Sequence, residues 1–161
     1  MDYKKNLIKG KNKIAVWGTG YIGLSNMVYF SKKKIKCIGY DIDKNKVKTI
    51  NNGKLPIQEL KDWFGFDIKS IVKSRYLTAT NNSKDLYDKR ILIHFIAIPT
   101  EKNGKPYFKI LFSVLKKIIK IILKNSEIKP MIIIESTLTP KISEEKIIPF
   151  FKSKKIIPGK D

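Results

Sequence analysis

The sequence predicts an α/β fold, a single-domain doubly wound parallel sheet, from three observations. Short apolar runs alternate with helix-periodic stretches, a glycine-rich turn joins the first run to the first helix, and the run Ile91–Ile98 is apolar on both alternating faces. The length agrees, since 161 residues amount to about one domain at ~150 residues each, enough to bury a core.

The elements follow in order. Lys13–Trp17 (KIAVW) reads as a strand that meets Gly18-Thr19-Gly20-Tyr21-Ile22-Gly23, after which Leu24, Met27, Val28 and Phe30 recur at helical spacing. Lys36–Tyr40 is a second strand ending at Asp41. Asp43–Asn52 is a helix with Asp43 as N-cap, Val47 and Ile50 facing inward and Asn52-Gly53 as its stop. After a loop through Pro56 come a short helix near Ile68–Lys73, a third strand at Tyr76–Thr80 and a helical turn at Ser83–Tyr87. Ile91–Ile98 suits a central fourth strand covered on both faces. A polar loop, Pro99–Lys105, leads to an amphipathic helix over Tyr107–Lys124 with a lysine face, which is expected to cross over to a fifth strand, Met131–Ile134. A helical stretch from Pro140 to Phe151 ends the pattern. Right-handed crossovers then give the strand order 3-2-1-4-5. The organisation is a basic tail (1–12), a nucleotide-binding-type domain (13–151) and a lysine-rich tail (152–161).

Charge excludes less than its size suggests. Lys+Arg number 34 against 14 Asp+Glu, a net charge of +20, yet 42% apolar and 11% aromatic residues are too many for a disordered polycation. Only Arg75 and Arg90 are arginine, and the lysines are spread in short runs, unlike the clustered Arg forks that read nucleic acid. Nucleic acid is therefore expected only as salt-sensitive, sequence-blind adhesion. The alternative function is a basic module on the same scaffold that binds nucleic acid or another polyanion, with a steep salt dependence and no response to changes in the glycine turn. Cys37 has no partner for an internal disulfide, and MDYKKNLIKGKNK contains no apolar signal core, so a cytoplasmic location is expected. The longest uncharged apolar-rich stretch, Ile91–Pro99, is half the ~20 residues a membrane span needs, so no membrane partner is expected. No metal-ligand cluster, Ser-His-Asp set or P-loop is visible.

The chemistry-bearing motif is G-x-G-x-x-G in context. Gly18, Gly20 and Gly23 follow a strand and open a helix, and Asp41 lies eighteen residues beyond Gly23 at the end of the next strand. Gly18 permits the tight turn, Gly20 lets the backbone approach a pyrophosphate held at the helix N-terminus, and Gly23 permits close helix-to-strand packing. Asp41 can accept hydrogen bonds from ribose hydroxyls and repel a 2′-phosphate, which favours NAD over NADP, an inference that Lys44 and Lys46 soften. The alternative at the level of these residues is a turn kept for packing and an Asp that caps the following helix.

Four segments in order, GTGYIGL (Gly18–Leu24), GYDIDKNKVKTINNGKLPIQE (Gly39–Glu59), IAIPTEKNGKP (Ile96–Pro106) and ESTLTPKISEE (Glu135–Glu145), resemble the UDP-glucose/GDP-mannose dehydrogenases. The resemblance implies a Rossmann-type NAD-binding domain, C-terminally shortened. It also implies oxidation of a nucleotide sugar such as UDP-N-acetylmannosamine or UDP-glucose to its uronic acid with NAD as hydride acceptor, in polysaccharide biosynthesis. It puts Gly18, Gly20, Gly23 and the amides of Tyr21 and Ile22 at the pyrophosphate, Asp41 and Lys46 at the adenosine end, and Thr100 and Thr137 toward the nicotinamide. It implies that Thr137 also helps to place water in catalysis. The family's nucleophilic cysteine and sugar-binding half have no counterpart in this sequence, which instead reaches SKKIIPGKD. This implies that a UDP-sugar is handled only together with a catalytic half, supplied for example as a separately encoded C-terminal domain, and that the chain alone is inactive. Cys37, inside the second strand, reads as a buried structural thiol, and His94 as a core histidine with its hydrogen bonds satisfied rather than a general base.

Overall fold

The computed structural model describes residues 3–124 and 129–160. Met1, Asp2 and Asp161, the outermost residues of the two basic segments, lie outside the described residues. The chain divides into two compact units interleaved along the sequence: Met1–Ile98 with Pro130–Glu135, and Pro99–Lys129 with Ser136–Asp161. No linker or change of composition marks the division, because the chain passes between the units more than once.

The first unit is built on a parallel sheet of five strands, β1 (Lys13–Trp17), β2 (Cys37–Tyr40), β3 (Leu77–Thr80), β4 (Ile91–Ile96) and β7 (Met131–Ile134), in the order β3-β2-β1-β4-β7. This is the expected 3-2-1-4-5 arrangement. The central pairs run Ile14 beside Cys37 and Trp17 beside Tyr40 on one side of β1, and Ala15 beside His94 and Trp17 beside Ile96 on the other. All six residues of β4 are buried, as its two-sided apolar pattern requires.

Helix α2 (Tyr21–Lys32) buries Gly23, Leu24, Met27, Val28 and Ser31. It ends where Lys34 adopts a left-handed conformation and the Ile35 amide reaches back to the Phe30 carbonyl. Helix α3 (Lys44–Asn51) starts at Asp43, whose carboxylate accepts from the amides of Asn45 (2.8 Å) and Lys46 (3.2 Å). Val47 and Ile50 face the core, and Gly53 at φ 73° ends the turn. These side chains join Ile14, Val16, Cys37, Leu77, Ile93 and Phe95 in one apolar cluster, where each fully buried Leu or Ile contributes roughly 1.5–3 kcal/mol. The outer edge of β3 is engaged by a side chain: the Asn51 amide donates to the Ala79 carbonyl and accepts from the Ala79 amide, both at 2.8 Å. Asp88 ties the bases of two strands together through Lys13 of β1 and through Arg90 just ahead of β4.

Four features were not expected from the sequence. Residues of the basic N-terminal segment form helix α1 (Tyr3–Ile8), with Leu7 in the core. Helix α4 (Leu60–Phe64) occupies part of the loop after Pro56, and Phe64 packs edge-on to Tyr29 at 5.5 Å. Helix α5 (Lys69–Lys73) and the 3-10 turn Ser83–Leu86 fall where short helices were expected. In the second unit the polar loop contains a two-stranded hairpin, β5 (Glu101–Lys102) and β6 (Lys105–Pro106), turning at Asn103-Gly104, both at positive φ. Helix α6 (Lys109–Lys124) exposes Lys109, Ser113, Lys116, Lys120 and Lys124 while burying Leu111, Val114, Leu115, Ile118, Ile119, Ile121 and Ile122; Ile110 and Leu123 stay exposed. The C-terminal helical stretch begins as a π-helical turn, Ser143–Ile147, before α7 (Ile148–Lys152), and Phe150 meets Phe112 edge-on at 5.1 Å.

Candidate functional site

At the carboxyl end of β1 the three motif glycines serve different purposes. Gly18 has φ 92°, and a Cβ there would sit 2.3 Å from the Ala97 carbonyl oxygen; its amide donates to the Tyr40 carbonyl at 2.8 Å, which fixes the turn against β2. A Cβ at Gly23 would lie 2.0 Å from the Gly18 carbonyl oxygen, so the helix can approach the turn only with glycine there. Gly20 differs: its backbone is extended at φ −74°, and a Cβ would meet nothing within 4 Å. Nothing among the described residues requires glycine at that position. The space above it is free, and α2 begins there with no side chain capping its first amides. A packing-only explanation of the motif therefore accounts for Gly18 and Gly23 but not for Gly20.

Asp41 lies one step along the same end of the sheet. Its Oδ2 accepts from the Thr19 hydroxyl at 2.7 Å and the Thr19 amide at 2.9 Å, and its Oδ1 accepts from the Asp43 amide at 3.0 Å. Desolvation raises the carboxyl pKa, but the hydrogen bonds from Asp43 and Thr19 and the charge of Lys46 outweigh it, so the group is held below its ordinary value and stays ionised. The helix cap is Asp43, not Asp41, so the capping alternative for Asp41 fails on geometry. Thr19 is fully buried and was not singled out from the sequence, because the residue between two motif glycines carries no spacing signal.

Tyr21 and Ile22, at the start of α2, are half exposed at 49% and 56%. Desolvation, and then the nearby Glu59 carboxylate, raise the Tyr21 phenol above its usual value. Further along α2, Asn26 donates to Glu135, the first residue of the Glu-Ser-Thr segment. Thus Gly18, Gly20, Tyr21, Ile22, Gly23, Asp41 and Lys46 all lie in the first unit. Thr100 and Thr137 lie in the second, where the Thr100 hydroxyl donates to the Thr137 carbonyl at 2.6 Å.

Two further groups have settled environments. Cys37 is buried, and desolvation, only partly offset by a hydrogen bond with Ser31, pushes its thiol up to about 12, so it is no nucleophile. His94 is buried as expected but only half satisfied. Its Nδ1 accepts from the Trp17 indole at 3.2 Å, whereas Nε2 has no hydrogen-bond partner among the described residues. The sequence missed this because β4 offers it only apolar neighbours along the chain. Among the described residues no group of His, Cys, Asp and Glu is arranged to hold a metal ion, and no helix is long and apolar enough to cross a membrane.

The residues fit a dinucleotide: a cradle that a side chain at Gly20 would fill, free amides at the start of a twelve-residue helix, and an ionised carboxylate with one acceptor position left at the end of the next strand. The fold and site define a dinucleotide-binding domain of the Rossmann type. Residues 12–157 match the family described as "UDP-glucose/GDP-mannose dehydrogenase family, NAD binding domain". The chain belongs to this family, as the domain whose cofactor is NAD. Among its relatives, the UDP-N-acetyl-D-mannosamine dehydrogenase of Methanococcus aeolicus is 34% identical over 149 residues, covering 90% of this chain and 32% of the relative. The enzyme of the same name from Campylobacter jejuni is 37% identical over 131 residues, covering 78% of this chain and 29% of the relative. The chain thus spans less than a third of the length of either. Among solved structures, the ternary complex of GDP-mannose dehydrogenase from Pseudomonas aeruginosa superposes with a TM-score of 0.75 at 25% identity, covering 88% of this chain and 32% of that one.

Proposed function

We propose that the chain supplies the NAD site for oxidation of a UDP-sugar CH–OH group toward the uronic acid, in cytoplasmic polysaccharide biosynthesis, with UDP-N-acetylmannosamine or UDP-glucose as the sugar nucleotide. The observation that carries the cofactor part is Gly20, a glycine with no structural need of its own above an uncapped helix start. The names of the Methanococcus and Campylobacter relatives support the substrate class. Bound NAD supplies the hydride acceptor. The stretch of chain that supplies its site is residues 13–151, between the two basic segments.

Within it, the Tyr21 and Ile22 amides hold the pyrophosphate beside Gly18, Gly20 and Gly23. Asp41 takes the adenosine ribose with Lys46 close by, and Thr100 and Thr137 serve the nicotinamide side, Thr137 also orienting water. Covalent catalysis needs an activated nucleophile, which buried Cys37 cannot be, so residues outside these 161 must provide it along with the sugar site. The isolated chain then binds NAD without turning over UDP-sugars.

The test is the thermal shift of the chain in ~0.3 M salt with NAD, NADP or a UDP-sugar, beside Gly20→Val and Asp41→Ala. NAD at ~100 times its dissociation constant should stabilise by about 2.7 kcal/mol, and both variants should abolish the effect. A folded chain indifferent to NAD that binds polyanions with a steep salt slope would instead make it a basic polyanion-binding module. UDP-sugar-dependent NADH formation by the pure chain would overturn the assignment of the nucleophile.

A further inference from the structure

Of the roughly four lone-pair positions on an ionised carboxylate, Asp41 has three filled by its own chain. Thr19 takes both on Oδ2, through its amide at 2.9 Å and its hydroxyl at 2.7 Å, and the Asp43 amide takes one on Oδ1 at 3.0 Å. A single position on Oδ1 remains for a ligand. With one acceptor open, the plane of the carboxylate decides whether that acceptor meets an incoming hydroxyl, and Thr19 sets the plane. Thr19 is itself fixed. It is fully buried, and its Cγ2 methyl lies against the face of β2 at Gly39, where even a Cβ would come within 2.9 Å of it. Methyl toward Gly39 and hydroxyl toward Asp41 leave it one rotamer.

We propose that Thr19 is a positioning residue for cofactor binding, presenting Asp41 to the adenosine ribose of NAD in one orientation and keeping its charge in place against a 2′-phosphate. The proposal rests on the NAD reading above. Thr19 touches Asp41, not the cofactor. Removing the hydroxyl leaves the carboxylate free to turn and less reluctant to take up a proton, which the lowered pKa of Asp41 supports.

The experiment is calorimetric titration of the full chain with NAD and with NADP between pH 4 and 8, for the parent, Thr19→Val, Thr19→Ala, Thr19→Ser and Asp41→Asn. It is joined by carbon NMR titration of the Asp41 carboxyl in the ligand-free chain. Thr19→Val and Thr19→Ala should weaken NAD about tenfold at pH 7, narrow the NAD-to-NADP preference and move the Asp41 midpoint upward. Thr19→Ser should restore all three. In the Asp41→Asn background, Thr19→Val should cost nothing further. The inference is overturned if the hydroxyl-free variants keep the parent's affinity and midpoint, if serine fails to rescue, or if the losses add in the double variant. A parent chain that binds no NAD would remove the underlying reading as well. Normal NAD binding by the parent with an unaffected Thr19→Val would sink this inference alone. The carboxyl titration reads the Thr19 effect in the absence of any ligand.

Discussion

The Trp17 indole donates to His94 Nδ1 at 3.2 Å between the neighbouring strands β1 and β4, which places the imidazole proton on Nε2, the nitrogen without a partner among the described residues. Burial pushes the His94 pKa down from 6.5 to about 4. The unfolded chain accepts the proton first, so this contribution to stability is complete above pH ~6.5 and is lost as the pH falls toward 4, by about 3 kcal/mol in all. Urea unfolding across that range should show the slope, and His94→Leu should flatten it. Identical pH profiles for parent and variant would refute the assignment.

The three glycines should separate binding from folding. Gly20→Val points into open space and should cost at most about 1 kcal/mol of stability while removing NAD binding. Gly23→Ala drives a methyl to 2.0 Å from the Gly18 carbonyl oxygen and should cost more than ~2 kcal/mol or prevent folding. Chemical denaturation beside NAD titration distinguishes them; equal destabilisation by both would mean that Gly20 is structural after all.

Asp88 accepts from Arg90 Nε and Nη2 and from Lys13 Nζ at 3.1 Å, and the Arg90 hydrogen bond first, then the Arg90 amide and Lys13, hold its carboxyl well below the ordinary range despite desolvation. Its contribution is present above the unfolded value near 3.8 and is lost as the pH drops below it. Asp88→Asn should cost about 1–2 kcal/mol at pH 7, reduced from a fully buried case because the Arg90 side chain is 57% exposed. The difference from the parent should begin to narrow as the pH falls below about 3.8, as unfolding curves at pH 7 and pH 3 would reveal.

Cys37 should resist thiol reagents in the native chain at pH 8 and react fully in urea, because its thiol is buried and its pKa is about 12. Rapid native labelling would contradict both the burial and its exclusion as a nucleophile.

The parts of this molecule legible in the sequence are those with local signals. The Lys13–Trp17 run, the glycine turn, the Asp43 cap and the two-sided Ile91–Ile96 strand each declare themselves within a few residues, and the sheet order follows from handedness. Helix α4 was not legible, because five residues carry too little periodicity and its stability comes from Leu60 and Phe64 meeting the core. The β5–β6 hairpin did leave a sign, Asn103-Gly104, the residue pair suited to two consecutive positive φ angles; its strands are only two residues long and fully exposed, so the hydrophobic pattern hid it. At the site, Gly18, Gly20, Gly23 and Asp41 were readable from spacing. The grip of Thr19 on Asp41 was not, since a residue between two motif glycines carries no spacing signal and its rotamer is set by packing against Gly39.

The amide of Asn51 on Ala79 gives the sheet a direction of growth. A side chain that fills a neighbour's hydrogen-bonding place ends the ladder there, because it offers nothing for a further chain to continue. The opposite flank, Met131–Ile134, pairs with β4 and bears four side chains without charge. Within the first unit a further strand cannot continue the ladder past Ala79, and Asn51→Ala would reopen that place.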